Sequence, residues 1–203
     1  LTILPISSDL FYIYSPKLDF FLNHVYSKTD SSNSSTSMAN TTSHSLSFGV
    51  NGILTPKLSG KISLGYSILS YRSGNLCNQN SIISASSLNF KHNQKTSSEI
   101  QVERDFSPTA TSSSQISTFL RYNLNHSFNH STTGTFGLSH MYSEVFINNI
   151  DSFEMKQLGF DLSLRRILSK NFTSMFRYDF SLIKRNNIQF HRNVISASII
   201  GRF

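Results

Sequence analysis

Histidine, cysteine and serine are the side chains here that could carry metal or nucleophilic chemistry. The chain has seven histidines and one cysteine, Cys77, among 203 residues. His126 and His130 are four residues apart, but they flank Phe128-Asn129, which is typical of a hairpin turn and not of a zinc-binding helix face. A single cysteine forms neither a disulfide framework nor a thiolate cluster. We therefore expect no metal site.

Nucleophilic catalysis is equally poorly supported. A serine hydrolase needs a serine, a histidine and an acid that converge, and serine is too abundant here for any pairing with histidine to be informative. No glycine-rich phosphate loop is present. The sequence thus indicates no catalytic residue and no cofactor, and we expect that the protein is not an enzyme.

The composition restricts the class of protein. Charged residues make up 14% and hydrophobic residues 38% of the chain, below the roughly 25% and 45–50% of soluble domains. Seventeen Phe and eight Tyr nevertheless exclude a disordered chain. The net charge of +7 is scattered, without a Lys/Arg-rich run, so nucleic acid is not an expected partner. This balance fits a sheet with one face in an apolar medium.

Alternation is the dominant pattern. Between positions 172 and 182, the even positions carry Phe, Ser, Phe, Tyr, Phe and Leu, whereas the odd ones carry Thr, Met, Arg, Asp and Ser. The same parity recurs over 158–165 and 61–68. A period of two places the sets on opposite faces of a strand. It predicts about eleven strands, near 8–14, 18–28, 44–54, 60–71, 82–91, 97–106, 115–125, 132–142, 155–166, 171–182 and 190–203.

The connections between these strands alternate in length. Short turns rich in Pro, Asn and Ser recur about every 35–40 residues, as in an internal hairpin repeat. Longer polar stretches lie at 29–43, 72–81, 107–114, 143–152 and 184–189. Short periplasmic turns and long extracellular loops are typical of outer-membrane barrels, whose strands need about ten residues to cross the bilayer. A soluble β-sandwich is the alternative, although its strands average nearer five or six residues.

The predicted fold is therefore all-β. It is an antiparallel up-and-down meander forming a transmembrane β-barrel, with residues 1–203 as one outer-membrane domain. Bacterial barrels usually have an even strand number, so eleven strands predict a partial barrel of about 11–12 strands that lacks its N-terminal strand or strands. We expect no complete seam between the first and last strands.

The two faces of the predicted sheet differ in chemistry. Nearly all strand aromatics occupy even positions of the first ten strands, where they would face lipid and form interfacial girdles. Gly, Ser and Asn dominate the opposite face, with charges of both signs that would set a field for solutes in a lumen. An interior whose charges pair with one another and conduct nothing is the open alternative. The candidate lumen residues are Lys61, Glu99, Gln101, Glu103, Asp105, Arg121, Asp161, Arg165, Arg177, Asp179, Arg192 and Arg202.

The chain closes on an aromatic residue after an alternating strand. Ile199, Gly201 and Phe203 belong to its apolar set. This resembles the final strand of outer-membrane barrels, which ends on Phe and is the recognition signal of the barrel assembly machinery. Gly201 departs from the bulky residue usual two positions before that end.

Several hairpin segments strengthen the resemblance. They are Leu54-Thr55-Pro56-Lys57-Leu58-Ser59, Ser63-Leu64-Gly65-Tyr66-Ser67, Ser169-Lys170-Asn171-Phe172-Thr173, Phe176-Arg177-Tyr178-Asp179-Phe180 and His191-Arg192-Asn193-Val194-Ile195-Ser196. With these segments the chain resembles the β-barrel porin families of Gram-negative bacteria. It is also similar to the C-terminal barrel of surface-lipoprotein assembly modulators.

The resemblance implies an outer-membrane location and a pore for polar solutes or polysaccharide. A barrel that handles a secreted partner protein, or an adhesin that presents its loops, is the second possibility, and a soluble binding sandwich is the third. The expected partners are outer-membrane lipid and the assembly machinery.

Overall fold

The computed structural model describes residues 2–30, 40–71, 78–108, 113–147, 151–186 and 188–201. Among them, no helix is long and apolar enough to cross a membrane. The strands are β1 Thr2–Ser15, β2 Leu18–Asp30, β3 Thr41–Thr55, β4 Leu58–Tyr71, β5 Gln79–Lys91, β6 Thr96–Pro108, β7 Ser113–Asn129, β8 Thr132–Ile147, β9 Asp151–Ile167, β10 Phe172–Arg185 and β11 Ile188–Gly201.

These strands form one antiparallel sheet in sequence order, each strand pairing with its neighbours along the chain. The predicted meander of eleven strands is thereby confirmed. Within the described residues β1 and β11 do not pair with each other, so the sheet is open at both edges. The expected absence of a complete seam is also confirmed.

The strands are longer than the sequence predicts, at 13–17 residues instead of about ten. They extend into the stretches predicted as loops. The prediction of a long connection over 184–189 was wrong, because β10 continues to Arg185 and β11 begins at Ile188. Asn186 has a φ of 49°, a left-handed conformation that Asn tolerates in tight hairpin turns. The polar residues of these stretches are in strands because backbone hydrogen bonds to the neighbouring strand form outside lipid as well.

The register confirms that the two sequence parities lie on opposite faces. Phe176 pairs with Leu164 on β9 and with Ala197 on β11, whereas Arg177 pairs with Ser163 and Ser196. Directly paired residues of neighbouring strands share a face. We call the face with the odd positions of β1–β10 and the even positions of β11 the inner face. The opposite face is the outer face.

The sheet curves toward its inner face. Inner-face residues of five consecutive strands, β2 to β6, line one cavity of about 260 Å³, including Phe21, Ser47, Lys61, Ala85 and Glu103. The ends of the sheet also differ. We call the end with the connections at 16–17, 56–57, 92–95, 130–131 and 168–171 the turn end, and the opposite one the loop end.

Candidate pore wall

The predicted lumen residues share one face of the sheet. Ten of them have odd positions on β4 to β10 and lie on the inner face, and Arg192 joins them by pairing with Ser181. Arg202 and the predicted assembly residue Phe203 lie outside the described residues. Ile199 and Gly201 pair with Ser174 and Phe172 on the outer face. The structure thus brings these charges onto one wall, while their role in a lumen stays a prediction.

Four of these charges form a cluster across β7 to β10. Asp161 and Asp179 are directly opposite each other on β9 and β10, an arrangement that is destabilising when both carboxylates are unpaired. Arg121 donates from Nη2 to Asp161 Oδ1 at 2.9 Å. Arg177 donates from Nε and Nη2 to Asp179 Oδ1 at 2.9 and 2.7 Å. Each carboxylate therefore has its own guanidinium, and the cluster has no net charge.

Other inner-face charges are less completely paired. Lys61 Nζ lies 4.3 Å from the centroid of the Phe21 ring, a cation–π contact. Glu99 accepts a hydrogen bond from Ser87 Oγ at 3.2 Å. Glu103 and Asp105 form no ion pair within the part of the chain that the structure describes. With Lys61 and Arg104 they line the 260 Å³ cavity, which therefore has two cations and two carboxylates.

The loop half of β6 and β7 folds over the inner face. The ladder between β5 and β6 ends at the pair Ser84 and Arg104, although both strands continue beyond it. Ser114 on β7 has outer-face parity, yet its Oγ donates to the side chain of Gln79, which has inner-face parity on β5. Such a bond forms only if the upper β6–β7 hairpin lies across the inner wall. This fold narrows the space inside the curve at the loop end.

The inward fold buries side chains of β4 and β6. Leu69 and Ser67 on the inner face of β4 are each 1% exposed, and Phe106 on β6 is 7% exposed. The sequence predicted an outward Phe106, and it is instead among the few buried apolar residues of the described chain. Arg104 bridges the split below it, donating from Nε to Ile82 O at 3.3 Å and from Nη1 to Thr118 Oγ1 at 3.4 Å. The prediction failed because parity describes a regular sheet, and the ladder is interrupted here.

The outer face is apolar in a band and charged at the loop end. Leu64, Leu120, Leu162 and Phe176 are more than two-fifths exposed on this band, as expected for side chains that contact lipid. Beyond the band, outer-face charges pair along the strands. They are Lys28 with Asp30 at 2.6 Å and Lys156 with Glu154 at 3.0 Å.

These loop-end charges mark where the strands leave the apolar layer. The hydrogen bond and charge of Lys156 lower the pKa of Glu154. Since charged side chains on the lipid face are costly, the extra strand length that carries these two ion pairs extends into water. This explains why strands of up to 17 residues exceed the 9–11 that cross a bilayer.

The cations at the turn end are candidates that strand parity does not reveal. Lys17, Lys57 and Lys95 each come directly before a strand, at the starts of β2, β4 and β6. Their equal placement in successive short turns was the available signal. Near them, Lys57, Lys91 and Lys95 line a cavity of about 600 Å³, together with the inner-face residues Ser97, Asn125 and Ser127.

A curved antiparallel sheet with an apolar outer band and a polar, charged inner face is the wall of an outer-membrane β-barrel. The chain belongs to the family described as Putative beta-barrel porin 2, whose model matches residues 6–202. Family and fold place it in the cell outer membrane. No curated protein shows significant similarity to it.

Two solved structures are similar to the chain, and the first shares its fold. The FrpB iron transporter from Neisseria meningitidis (F5-1 variant) has a TM-score of 0.53 and 8% identity, over 97% of this chain and 43% of that one. The alcaligin outer-membrane receptor FauA from Bordetella pertussis has a TM-score of 0.47 and 12% identity, over 97% of this chain and 37% of that one. The chain thus spans less than half the length of either structure.

Proposed function

We propose that this chain forms part of the wall of an outer-membrane pore that lets polar solutes, including polysaccharide, pass along its inner face. The observation that carries the proposal is the separation of the two faces in register over eleven strands. An outer band of exposed Leu, Ile and Phe side chains contacts the lipid. The small polar residues of the inner face leave room for water, and its charges set the field that a solute meets.

The neutral cluster on β7 to β10 supports this role in a specific way. Arg121 and Arg177 are held by Asp161 and Asp179, so these side chains do not extend freely into the space inside the curve. A wall of short side chains and tethered charges is compatible with passage. The inward fold of β6 and β7 makes the path narrower at the loop end.

We propose outer-membrane lipid and the barrel assembly machinery as partners, and we propose no catalytic step. Lipid contacts the outer face, and the assembly machinery of barrels recognises the final strand, which includes Ile199 and Gly201. Loops face the outside of the cell and turns the periplasm. The protein has no catalytic role, and transport is passive. Solutes follow their gradient through water held by the inner wall.

Conductance of the complete protein in a planar bilayer tests the function. In a Cys77→Ser background, a cysteine is placed at Ser139 on the inner face or at Leu138 beside it on the outer face. We expect a steady ohmic current that a charged, water-soluble thiol reagent reduces for Ser139→Cys only. The absence of any current would contradict the proposal and would be expected of a barrel that handles a partner protein or presents loops. Equal effects of the reagent at both sites would also contradict it.

A further inference from the structure

The turn-end lysines form a regular row. The carbonyl oxygens of Lys17, Lys57 and Lys95 accept hydrogen bonds from the backbone N–H of Ile53, Lys91 and Ser127, at 2.7, 2.8 and 2.8 Å. Each bond joins the turn of one hairpin to the first strand of the next. The same bond recurs from Ile167 N to Ser131 O at 2.8 Å, in the β7–β8 turn. The row is therefore a structural repeat of the sheet.

The repeat determines the spacing of the charges. Two strands separate successive turns, and strands are about 4.8 Å apart, so neighbouring lysine backbones lie roughly 10 Å apart along the rim. That separation is close to the Debye length of about 8 Å at physiological ionic strength. The lysines thus act together on a multivalent ion more than on a monovalent one.

One turn-end cavity brings together two lysines of this row and Lys91 at the end of β5. Lys57, Lys91 and Lys95 line its 600 Å³, and no carboxylate does. The turn is rigid, because Asn93 Oδ1 accepts hydrogen bonds from the backbone N–H of Lys95 and Thr96, both at 2.8 Å. Hydroxyl and amide groups of Ser97 and Asn125 complete the lining. Such a lining offers donors suited to an oxyanion.

A second turn-end cavity, at β9 to β11, is also lined by cations and polar side chains. Arg165 and Lys170 line its 470 Å³ together with Asn171 and Thr173, again without a carboxylate. By contrast, in the 260 Å³ cavity further from the turns, Glu103 and Asp105 balance Lys61 and Arg104. Asp19 offsets the charge near Lys17, so the first hairpin is less basic than the others. The excess of positive charge therefore belongs to the two turn-end cavities.

We propose that the turn-end mouth of the pore is an anion-binding vestibule for solutes with several phosphate or carboxylate groups. The inference rests on the proposed function and adds the class of solute. Clustered cations at the mouth raise the local concentration of anions and bias passage toward them. Phosphate also occurs in lipid headgroups. However, the cavity is lined by inner-face residues, which favours a soluble oxyanion.

The experiment measures ion preference and block with inorganic tripolyphosphate as the probe. The complete protein is inserted into bilayers of neutral phosphatidylcholine and, separately, into bilayers that also contain phosphatidylglycerol. The reversal potential is read in a KCl gradient in both. The test variant combines Lys57→Gln, Lys91→Gln and Lys95→Gln. The matched control combines Lys28→Gln, Lys156→Gln and Lys184→Gln, which removes the same charge from the outer face at the loop end. Calorimetric titration of the detergent-solubilised protein with tripolyphosphate measures binding without requiring conductance.

We expect anion preference and tripolyphosphate block in the unmodified protein and the control. The test variant should lose the preference and weaken block about tenfold or more, since three of the charges that attract the polyanion have been removed. A current without anion preference and tripolyphosphate block would contradict the vestibule but not the pore. The same holds if the test variant behaves like the control. Lysine-dependent tripolyphosphate binding without any current supports the site and overturns the pore. A lysine effect confined to phosphatidylglycerol-containing bilayers overturns the soluble-solute assignment.

Discussion

Arg121 on β7 reaches Asp161 on β9 across the whole width of β8, with 2.9 Å between Nη2 and Oδ1. Gly137 of β8 lies between them, directly opposite Asn123 and Asp161. A Cβ at Gly137 would lie 2.4 Å from Asp161 Oδ1. The glycine therefore provides the space for an ion pair that ties three strands together and balances the carboxylate opposite Asp179.

The first prediction concerns this space. Gly137→Ala should displace the Asp161 carboxylate and lower the free energy of unfolding in detergent by about 1–2 kcal/mol. In an Asp161→Ala background the same substitution should cost little, because the atoms that the new methyl group meets have been removed. Thermal unfolding of the four proteins of this double-mutant cycle measures the coupling. If the losses of stability of the two single variants simply add, the methyl group of Gly137→Ala does not clash with Asp161.

The second prediction uses two adjacent residues on opposite faces of β9. Leu162 is 44% exposed on the outer face between Phe136 and Tyr178, whereas Ser163 is on the inner face. Leu162→Arg should reduce folding yield far more than Ser163→Arg, since an arginine near the lipid midplane costs roughly 2–4 kcal/mol. The folded fraction is read from heat-modifiable gel mobility. Both variants add one positive charge, so equal yields would contradict the assignment of the faces.

A third prediction concerns the inward fold of β6 and β7. Phe106→Ala should lower stability by about 3 kcal/mol because it empties a buried site. It should also widen the path and raise the single-channel conductance. Phe136→Ala is the matched control, because Phe136 lies on the lipid-facing side of β8, where lipid replaces the lost contacts. Unchanged conductance in Phe106→Ala would indicate that the hairpin does not narrow the pore.

The edges of the sheet support a fourth prediction. In this chain β11 pairs only with β10, while β8 pairs on both sides. In an antiparallel ladder an edge strand leaves alternate N–H groups unpaired. Hydrogen exchange of the chain folded in detergent should therefore show fast exchange at alternate amides of β11 and protection throughout β8. Uniform protection of β11 would reveal a strand pairing that the open sheet lacks.

Much of the fold could be predicted from local sequence. The alternation at 158–165 identified β9 and its two faces, because successive side chains of any strand point to opposite sides whatever surrounds them. The short turns identified the hairpins for the same local reason. The ends of the strands were less predictable. Polarity over 143–152 indicated a loop, yet β8 continues to Ile147 and β9 begins at Asp151.

In the charged wall, the face of each side chain follows from local sequence, whereas the pairing of the charges follows from how the strands meet. Parity placed Arg121, Asp161, Arg177 and Asp179 on one face. It did not show which of them pair, because the pairs depend on strand register, and in one case on a glycine in a third strand. The lysine cavity and the burial of Phe106 depend likewise on residues far apart in sequence. The period of a strand is a property of its own backbone, whereas register and curvature arise only when strands meet.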